Sequence, residues 1–465
     1  MTAEERKDLL VIGAGPGGYA AAFRAADLGR QVTLVDPRPT LGGVCLNEGC
    51  IPSKALLHAA EIIRSARQMN DWGIGFGEPA IDLDALRARK DGIVKTLTSG
   101  LVQLAKRRSV EIVQGRARFS APDAIVIENG DSEQTVQFNQ AIVAAGSESI
   151  SLPGWPQDDT RIMDSEGALA LKSVPKRLAI VGGGIIGLEM ATVYSALGST
   201  VTIIELADQI APGADPEAVK LLHRAMQDHG CTIHCGTKVE TVKAGKKAVS
   251  LTLAGRHDGA IQADAVIQAV GRRANGHAIA AEKAGLEVGK DGTITVDESC
   301  RTEVDTIFAV GDVTGAPMLA HRATHQGKVA AEAACGHKAA LDTVLIPAVA
   351  YTDPELAWAG LTADAAKADG IAHKISKFPW AASGRNLASG GGPGLTKLVW
   401  CPNTQRVLGA TIVGAHAGEL LAELVLAMET GATLEDIALT IHAHPTLGET
   451  SALAAELALG TCTDL

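Results

Sequence analysis

Short apolar runs that end in glycine recur along the chain: Leu9–Ile12 before Gly13, Ala141–Gly146, Leu178–Val181 before Gly182, Ala265–Gly271 and Thr306–Gly311. Runs of this length predict short strands that run into glycine turns. Between the first run and the next, Val32–Val35, lies an alanine-rich segment (Ala20–Ala22, Ala25, Ala26) closed by Gly29, which predicts a helix. Asp82–Arg108 also reads as helix, while Val110–Val113, Ala124–Ile127 and Val136–Phe138 predict strands of a small sheet. Leu152-Pro-Gly-Trp-Pro156 reads as a linker and a domain boundary. From Ile346 short strands alternate with helices, over Ala363–Asp369 and Gly418–Thr430, and no phosphate-binding loop appears.

Two of these strand–glycine–helix units repeat one another. In the first, Gly13, Gly15 and Gly18 fit G-x-G-x-x-G, and Asp36 ends the following strand. In the second, Gly182, Gly184 and Gly187 fit the motif, and Glu205 ends the strand Val201–Ile204. The acid follows the first glycine by 23 positions in both copies. Glycines let the backbone approach a pyrophosphate, the helix N-terminus faces it, and the acid accepts from a ribose hydroxyl. Two units predict two dinucleotides. Leu206–Ile210 contains no Arg or Lys, so a 2′-phosphate would meet the Glu205 carboxylate with no cation, and the second site is expected to take NAD rather than NADP. Asp312, after the strand Thr306–Gly311, suits either a cofactor's sugar chain or a helix cap.

Cys45 and Cys50 follow the first unit and precede an apolar-periodic run, Ala55–Ile63, with Pro52 suited to a first helical turn. Cys50 is therefore expected at a helix N-terminus, where the dipole favours a thiolate. A regular helix separates residues five apart by about 7.5 Å of rise, and bridged cysteines need Cα atoms within roughly 7 Å. The segment must be distorted, and Gly49 permits it. A redox-active disulfide is the reading; two inert thiols or half of a metal site are the alternatives. A flavin in the first unit could then pass two electrons between nicotinamide and disulfide.

Composition narrows the classes. The 465 residues carry a net charge of −11 and no long basic run, which argues against nucleic acid and anionic membranes. No stretch approaches the roughly 18 apolar residues of a membrane span. The charged start of the chain leads straight into the first glycine loop, so no signal peptide is expected. Eight cysteines spread over this length do not make a secreted disulfide framework, and cytosolic disulfides tend to be catalytic. Cys231, His234 and Cys235 lack a second ligand pair at zinc spacing, so no metal is expected. Cys300, Cys335, Cys401 and Cys462 read as structural thiols. Near the end, His442-Ala-His444-Pro-Thr-Leu-Gly-Glu449 offers a histidine for proton transfer with a carboxylate to fix its tautomer; a surface or capping role is the alternative.

With Gly-Gly-Val-Cys45-Leu-Asn-Glu-Gly-Cys50-Ile-Pro-Ser-Lys54, Gly-Gly-Gly-Ile-Ile-Gly-Leu-Glu189, Phe-Ala-Val-Gly-Asp312, Pro-Met-Leu-Ala320-His321 and His442-Ala-His444-Pro-Thr, the chain resembles, from end to end, the flavin-dependent pyridine nucleotide–disulfide oxidoreductases. The resemblance implies two Rossmann-like α/β domains, for FAD and NAD, plus a C-terminal α+β dimerisation domain. It divides the chain into 1–150 (FAD, with the redox cysteines), 151–271 (NAD), 272–345 (central, completing the FAD site) and 346–465 (interface). Cys45 would exchange with substrate and Cys50 would face the flavin as a charge-transfer thiolate. Lys54 and Glu189 would pair beside the flavin. Asp312 and Ala320 would hold its ribityl and ring, and Gly115 or Ala117 its adenosine end. Glu205, Val239 and Gly271 would line the NAD site. His444, oriented by Glu449 and supplied by the partner subunit of an obligate homodimer, would be the acid–base.

The activity so implied is cytoplasmic oxidation of protein-bound dihydrolipoamide by NAD, with a lipoyl-bearing acyltransferase of a 2-oxoacid dehydrogenase complex as partner. Glutathione or mercuric reductase chemistry, or a non-catalytic structural flavoprotein, are the alternatives. Three positions depart from the commonest pattern. Glu48, between the cysteines, is expected to disfavour a nearby thiolate. Asp36 stands where Glu is usual and shortens the reach to the ribose. Ala274 stands where proline often follows the Gly-Arg pair.

Overall fold

The computed structural model describes residues 6–342 and 345–465; residues 1–5, part of the charged start on which the absence of a signal peptide was read, lie outside them. The chain forms two compact units. The first takes the segment up to Ala55, Asp82–Ile150 and Gly271–Asp342; the second takes Leu56–Ile81, Ser151–Val270 and the segment ending at Leu465.

The first unit opens with strand β1 (Lys7–Ile12), helix α1 (Pro16–Asp27), strand β2 (Val32–Asp36) and helix α2 (Gly43–Glu48), and helix α3 (Cys50–Gln68) starts in it. β1 pairs in parallel with β2 on one side and with the end of strand Ser132–Val143 on the other. Glu111–Gln114 and Ile307–Ala309 extend the parallel sheet at its two sides. The two residue sets of β1 alternate between faces. Leu9 and Val11 pack with Ala21, Ala22 and Phe308, while Leu10 and Ile12 pack with Phe119, Phe138 and Ile307. All four β1 side chains are nearly inaccessible, each contributing about 1.5–3 kcal/mol by burial. This is the both-faces-buried pattern of a parallel sheet.

The sequence separates Val136–Phe138 from Ala141–Gly146, but the structure joins them. Ser132–Val143 is one strand of 12 residues. Its first half pairs antiparallel with Ala124–Asn129, and its second half pairs parallel with β1. The polar pair Asn139–Gln140 interrupts the apolar run without interrupting the ladder, because backbone pairing does not require both faces to be apolar. Arg116–Ala121, which no apolar run announces, adds a further strand. Glu111–Gln114 joins the parallel sheet rather than the small one.

The second unit carries its own five-stranded parallel sheet, in the order Thr232–His234, Thr200–Ile204, Arg177–Val181, Ala265–Gln268, Ile162–Met163. Beside it in sequence, Thr237–Ala244, Val249–Gly255 and Gly259–Ala263 form an antiparallel three-stranded sheet. A five-stranded antiparallel sheet follows, built from Ala348–Ala350, Glu355–Gly360, Val407–Gly414, Leu395–Trp400 and Lys374–Pro379. It packs against helices Ala417–Thr430, Leu434–Leu439 and Glu449–Leu459 around Phe378, Trp380, Leu398 and Leu424.

Candidate active site

The first glycine loop joins β1 to α1. Gly15 is the N-cap of α1, carries no side-chain cap, and is followed by Pro16 in the first turn. The helix N-terminus is thus lined by backbone alone, the arrangement that receives a pyrophosphate. Gly18 is demanded by packing: a methyl there would stand 1.8 Å from the Gly13 carbonyl oxygen. Asp36 is buried at the end of β2. Its Oδ2 accepts from the Ala14 amide at 2.6 Å and its Oδ1 from the Arg38 amide at 2.8 Å.

The second copy repeats this arrangement residue by residue. Gly184 caps helix Ile185–Ala196. Glu205 Oε2 accepts from the Gly183 amide at 2.5 Å and Oε1 from the Ala207 amide at 2.7 Å. In each copy the acid therefore binds the amide after the first glycine and the amide two residues beyond itself. Glu189 is buried on the second helix and accepts from the Tyr351 amide at 3.3 Å. Val239 lies in strand Thr237–Ala244, and Gly271 closes the run after Ala265–Gln268.

The cysteine stretch leans on the first loop. The Gly42 amide donates to the Ala14 carbonyl at 2.8 Å. Gly43 has φ +57°, and a methyl there would come within 2.6 Å of Gly15 Cα. Cys45 lies on α2, Cys50 opens α3, and Gly49 breaks the helix between them at φ −138° and ψ −107°. The break stands where the sequence requires a distortion. Both cysteines are half-buried. The hydrogen bond with Cys50 first, then burial, then the charge of Cys50 hold the Cys45 thiol far above its ordinary range; the Cys50 amide and Lys54 act against them. Two thiols so placed do not both ionise readily.

Several partners here were not legible in the sequence. Tyr19, on α1, has its hydroxyl pushed up by burial and then by the charges of Cys45 and Cys50, so it lies beside the pair. Asn47 Nδ2 donates to the Gly43 carbonyl at 2.9 Å and braces α2. Arg38 pairs with Glu48 at 2.8 Å. The guanidinium offsets part of the charge that Glu48 places between the cysteines. Asp312 sits in the 3₁₀ turn Gly311–Thr314 and accepts from Ser147 Oγ at 2.5 Å; Arg272 Nε donates to the same hydroxyl at 2.7 Å. Ala320 opens helix Ala320–Ala334, Gly115 donates its amide to the Asp36 carbonyl at 2.9 Å, and Ala117 is buried nearby in Arg116–Ala121.

In the second unit His444 Nδ1 and Glu449 Oε1 are 2.8 Å apart, and the Thr446 amide donates to Glu449 Oε2 at 2.7 Å. The His444 side chain is 80% exposed, so its other ring nitrogen is presented outward from this chain. Burial pushes the Glu449 carboxyl up, but the Thr446 amide, His444 and the charge of His442 outweigh it and hold the carboxyl below its ordinary range. A carboxylate kept ionised on Nδ1 favours the tautomer with a proton there.

Residues 7–327 match the model of the pyridine nucleotide-disulphide oxidoreductase family, and residues 346–455 match that family's dimerisation domain. The chain belongs to the pyridine nucleotide-disulphide oxidoreductases. A dihydrolipoyl dehydrogenase of Vibrio cholerae is 50% identical over 468 aligned residues, covering 100% of this chain and 98% of the relative. The dihydrolipoyl dehydrogenase of Haemophilus influenzae is 49% identical with the same coverage, and that of Geobacillus stearothermophilus is 45% identical, covering 98% and 96%. Among solved structures, LpdA from Mycobacterium tuberculosis superposes with a TM-score of 0.89 at 25% identity, and the flavoprotein disulfide reductase RclA from Escherichia coli, as its Cu(II) complex, with 0.88 at 26%. Each superposition covers 97% of this chain and 99% of the other. Pyridine nucleotide-disulphide oxidoreductases of this kind are enzymes that use FAD and NAD(H). The match to the dimerisation domain supports a homodimer. Among the described residues no helix is long and apolar enough to cross a membrane.

Proposed function

We propose that this chain is a dihydrolipoyl dehydrogenase: it oxidises protein-bound dihydrolipoamide to lipoamide and reduces NAD to NADH. One observation carries the reading. Cys45 and Cys50 face each other across a helix break that rests on a dinucleotide loop, in a chain 50% identical over its length to a dihydrolipoyl dehydrogenase.

FAD fits the first unit: Gly13, Gly15 and Gly18 would hold its pyrophosphate, Asp36 its ribose, Gly115 or Ala117 its adenosine end, and Asp312 and Ala320 its ribityl and ring, with Lys54 beside the flavin. NAD would be held by Gly182, Gly184, Gly187, Glu189, Glu205, Val239 and Gly271. When bound, the flavin carries two electrons from dithiol to nicotinamide.

The chain's own residues do the thiol chemistry. In the oxidised enzyme Cys45 and Cys50 are joined. His444 of the partner subunit takes a proton from one substrate thiol. That thiolate attacks the Cys45 sulfur, breaks the Cys45–Cys50 bond and releases Cys50 as a thiolate at the N-terminus of α3, where the helix dipole favours it. The second substrate thiol then attacks the mixed disulfide. Lipoamide leaves with its ring disulfide closed, Cys45 takes the proton, and the enzyme holds the two electrons. Glu449 keeps His444 in the tautomer that accepts at Nε2.

The working unit is a homodimer in the cytoplasm, serving a 2-oxoacid dehydrogenase complex through its lipoyl-bearing acyltransferase. Segments 1–150, 151–271, 272–345 and 346–465 supply the FAD, NAD, central and interface functions in turn. The test is steady-state reduction of NAD and of NADP by dihydrolipoamide, using protein of known flavin content. Fast turnover with NAD and little with NADP is expected; no turnover from flavin-loaded protein sinks the proposal.

A further inference from the structure

The second dinucleotide unit carries a cation that its loop sequence hides. Leu206–Ile210 has no Arg or Lys, yet Arg256 reaches the same place from the end of strand Val249–Gly255. Its side chain lies across Gly236, where a methyl would stand 2.7 Å from Cδ and 2.9 Å from Nε. The Arg256 amide donates to the Gly236 carbonyl at 2.9 Å, and the Gly236 amide donates to the Ala207 carbonyl at 2.8 Å. Arg256 is thereby tied to the turn that follows Glu205. Asp208, in that turn, takes Arg256 Nη2 at 2.8 Å. Cys235, between them, lies within electrostatic reach of Glu205, Arg256 and Asp208 alike.

Glu205 faces the ribose edge with both oxygens already fixed by amides. A ribose hydroxyl can still donate to such a carboxylate, whereas a 2′-phosphate is repelled by it. A guanidinium is the group best shaped to hold that phosphate, and Arg256 is mostly exposed, as is Asp208. We propose that Arg256 is a latent 2′-phosphate ligand at the ribose edge, and that Asp208 holds it neutralised, so that Glu205 and Asp208 together reject NADP. This rests on the reading of the second glycine loop as the NAD site.

The test compares kcat/KM for NAD and NADP in full-length, flavin-loaded Glu205→Gln, Asp208→Asn, the double variant, and the double variant with Arg256→Gln. Binding of adenosine 2′,5′-bisphosphate and of ADP is measured alongside by calorimetry. The double variant is expected to raise the NADP-to-NAD ratio beyond the product of the single effects by about tenfold, the size of one charge-assisted hydrogen bond. Arg256→Gln is expected to remove that excess and to weaken the bisphosphate while sparing ADP. An additive double variant, or an excess that survives Arg256→Gln, overturns the assignment of Arg256. If Glu205→Gln changes neither nucleotide's kcat/KM nor ADP binding, the NAD-site reading falls, and the proposal with it.

Discussion

Arg38 reaches Glu48 with two nitrogens, Nη2 at 2.8 Å from Oε2 and Nε at 3.5 Å from Oε1. Glu48 stands three positions after Cys45 on α2, on the same helix face. The pair therefore decides how much negative charge the dithiol feels. Arg38→Gln leaves the carboxylate uncompensated and disfavours the thiolate. The pH at which the reduced enzyme reacts with iodoacetamide is expected to rise by on the order of half a unit, the scale of a partly exposed ion pair. Adding Glu48→Gln should return it. A profile unmoved by Arg38→Gln refutes the coupling.

Gly43 ties the cysteine helix to the first glycine loop. A methyl at φ +57°, only 2.6 Å from Gly15 Cα, forces both backbones to shift. Gly43→Ala is expected to cost about 1–3 kcal/mol, as overpacking does, and to lower the flavin retained on purification. The ratio of flavin to protein absorbance measures it; full flavin content at unchanged melting temperature would show that the contact is unimportant.

His444 and Glu449 are predicted to fail unequally. His444→Gln removes the base and should lower turnover with dihydrolipoamide by roughly 10²–10⁴-fold. Glu449→Gln keeps an oxygen for the ring and should lower it less. The Glu449 carboxylate lies below its ordinary range, so the orienting bond persists until the pH falls well under about 4.3. The acidic limb of the rate profile should therefore change in Glu449→Gln, and an identical limb would remove Glu449 from the mechanism.

Lys397 offers a test of stability. It is buried, and its Nζ lies 2.7 Å from both Asp215 and Glu217. Asp215 is also buried and caps helix Pro216–Asp228. Lys397→Met strands the Asp215 carboxylate and is expected to cost about 3–5 kcal/mol, with partial recovery on adding Asp215→Asn. Denaturant titration reads both.

Glu217 makes the same network pH-dependent. Lys377 first, then Lys397, lower its carboxyl from 4.5 to about 2. A carboxyl depressed on folding adds stability that is fully present above its unfolded value and is lost as pH falls through the folded one. The contribution is therefore complete above about 4.5 and fades towards 2. Glu217→Gln should be less stable than the parent at pH 7 and lose that deficit by pH 2. A constant gap between the two melting curves contradicts it.

What the sequence discloses here is what repeats or recurs locally. The two glycine units were legible because the motif recurs with its acid at the same offset. The break at Gly49 was legible because two cysteines five apart cannot meet on a regular helix. Partners brought from far along the chain left no such trace. Ser147 meets Asp312 from 165 residues away, Arg272 meets Ser147 from 125 residues away, and Arg256 meets Asp208 from beyond an intervening helix and three strands. Strand Ser132–Val143 was read as two because its polar middle hides an unbroken ladder. Arg38 and Glu48 are only ten apart, yet nothing in the intervening loop announces that it folds back.

The acids that end the two glycine units carry one further consequence. Asp36 and Glu205 are each clasped by two amides of their own loop, so their rotamers are settled when the chain folds rather than when a nucleotide arrives. If the two carboxylates hold the ribose hydroxyls as proposed, little side-chain freedom remains to be lost on association. Each dinucleotide then meets a template instead of shaping one, and the speed of its capture is governed by encounter.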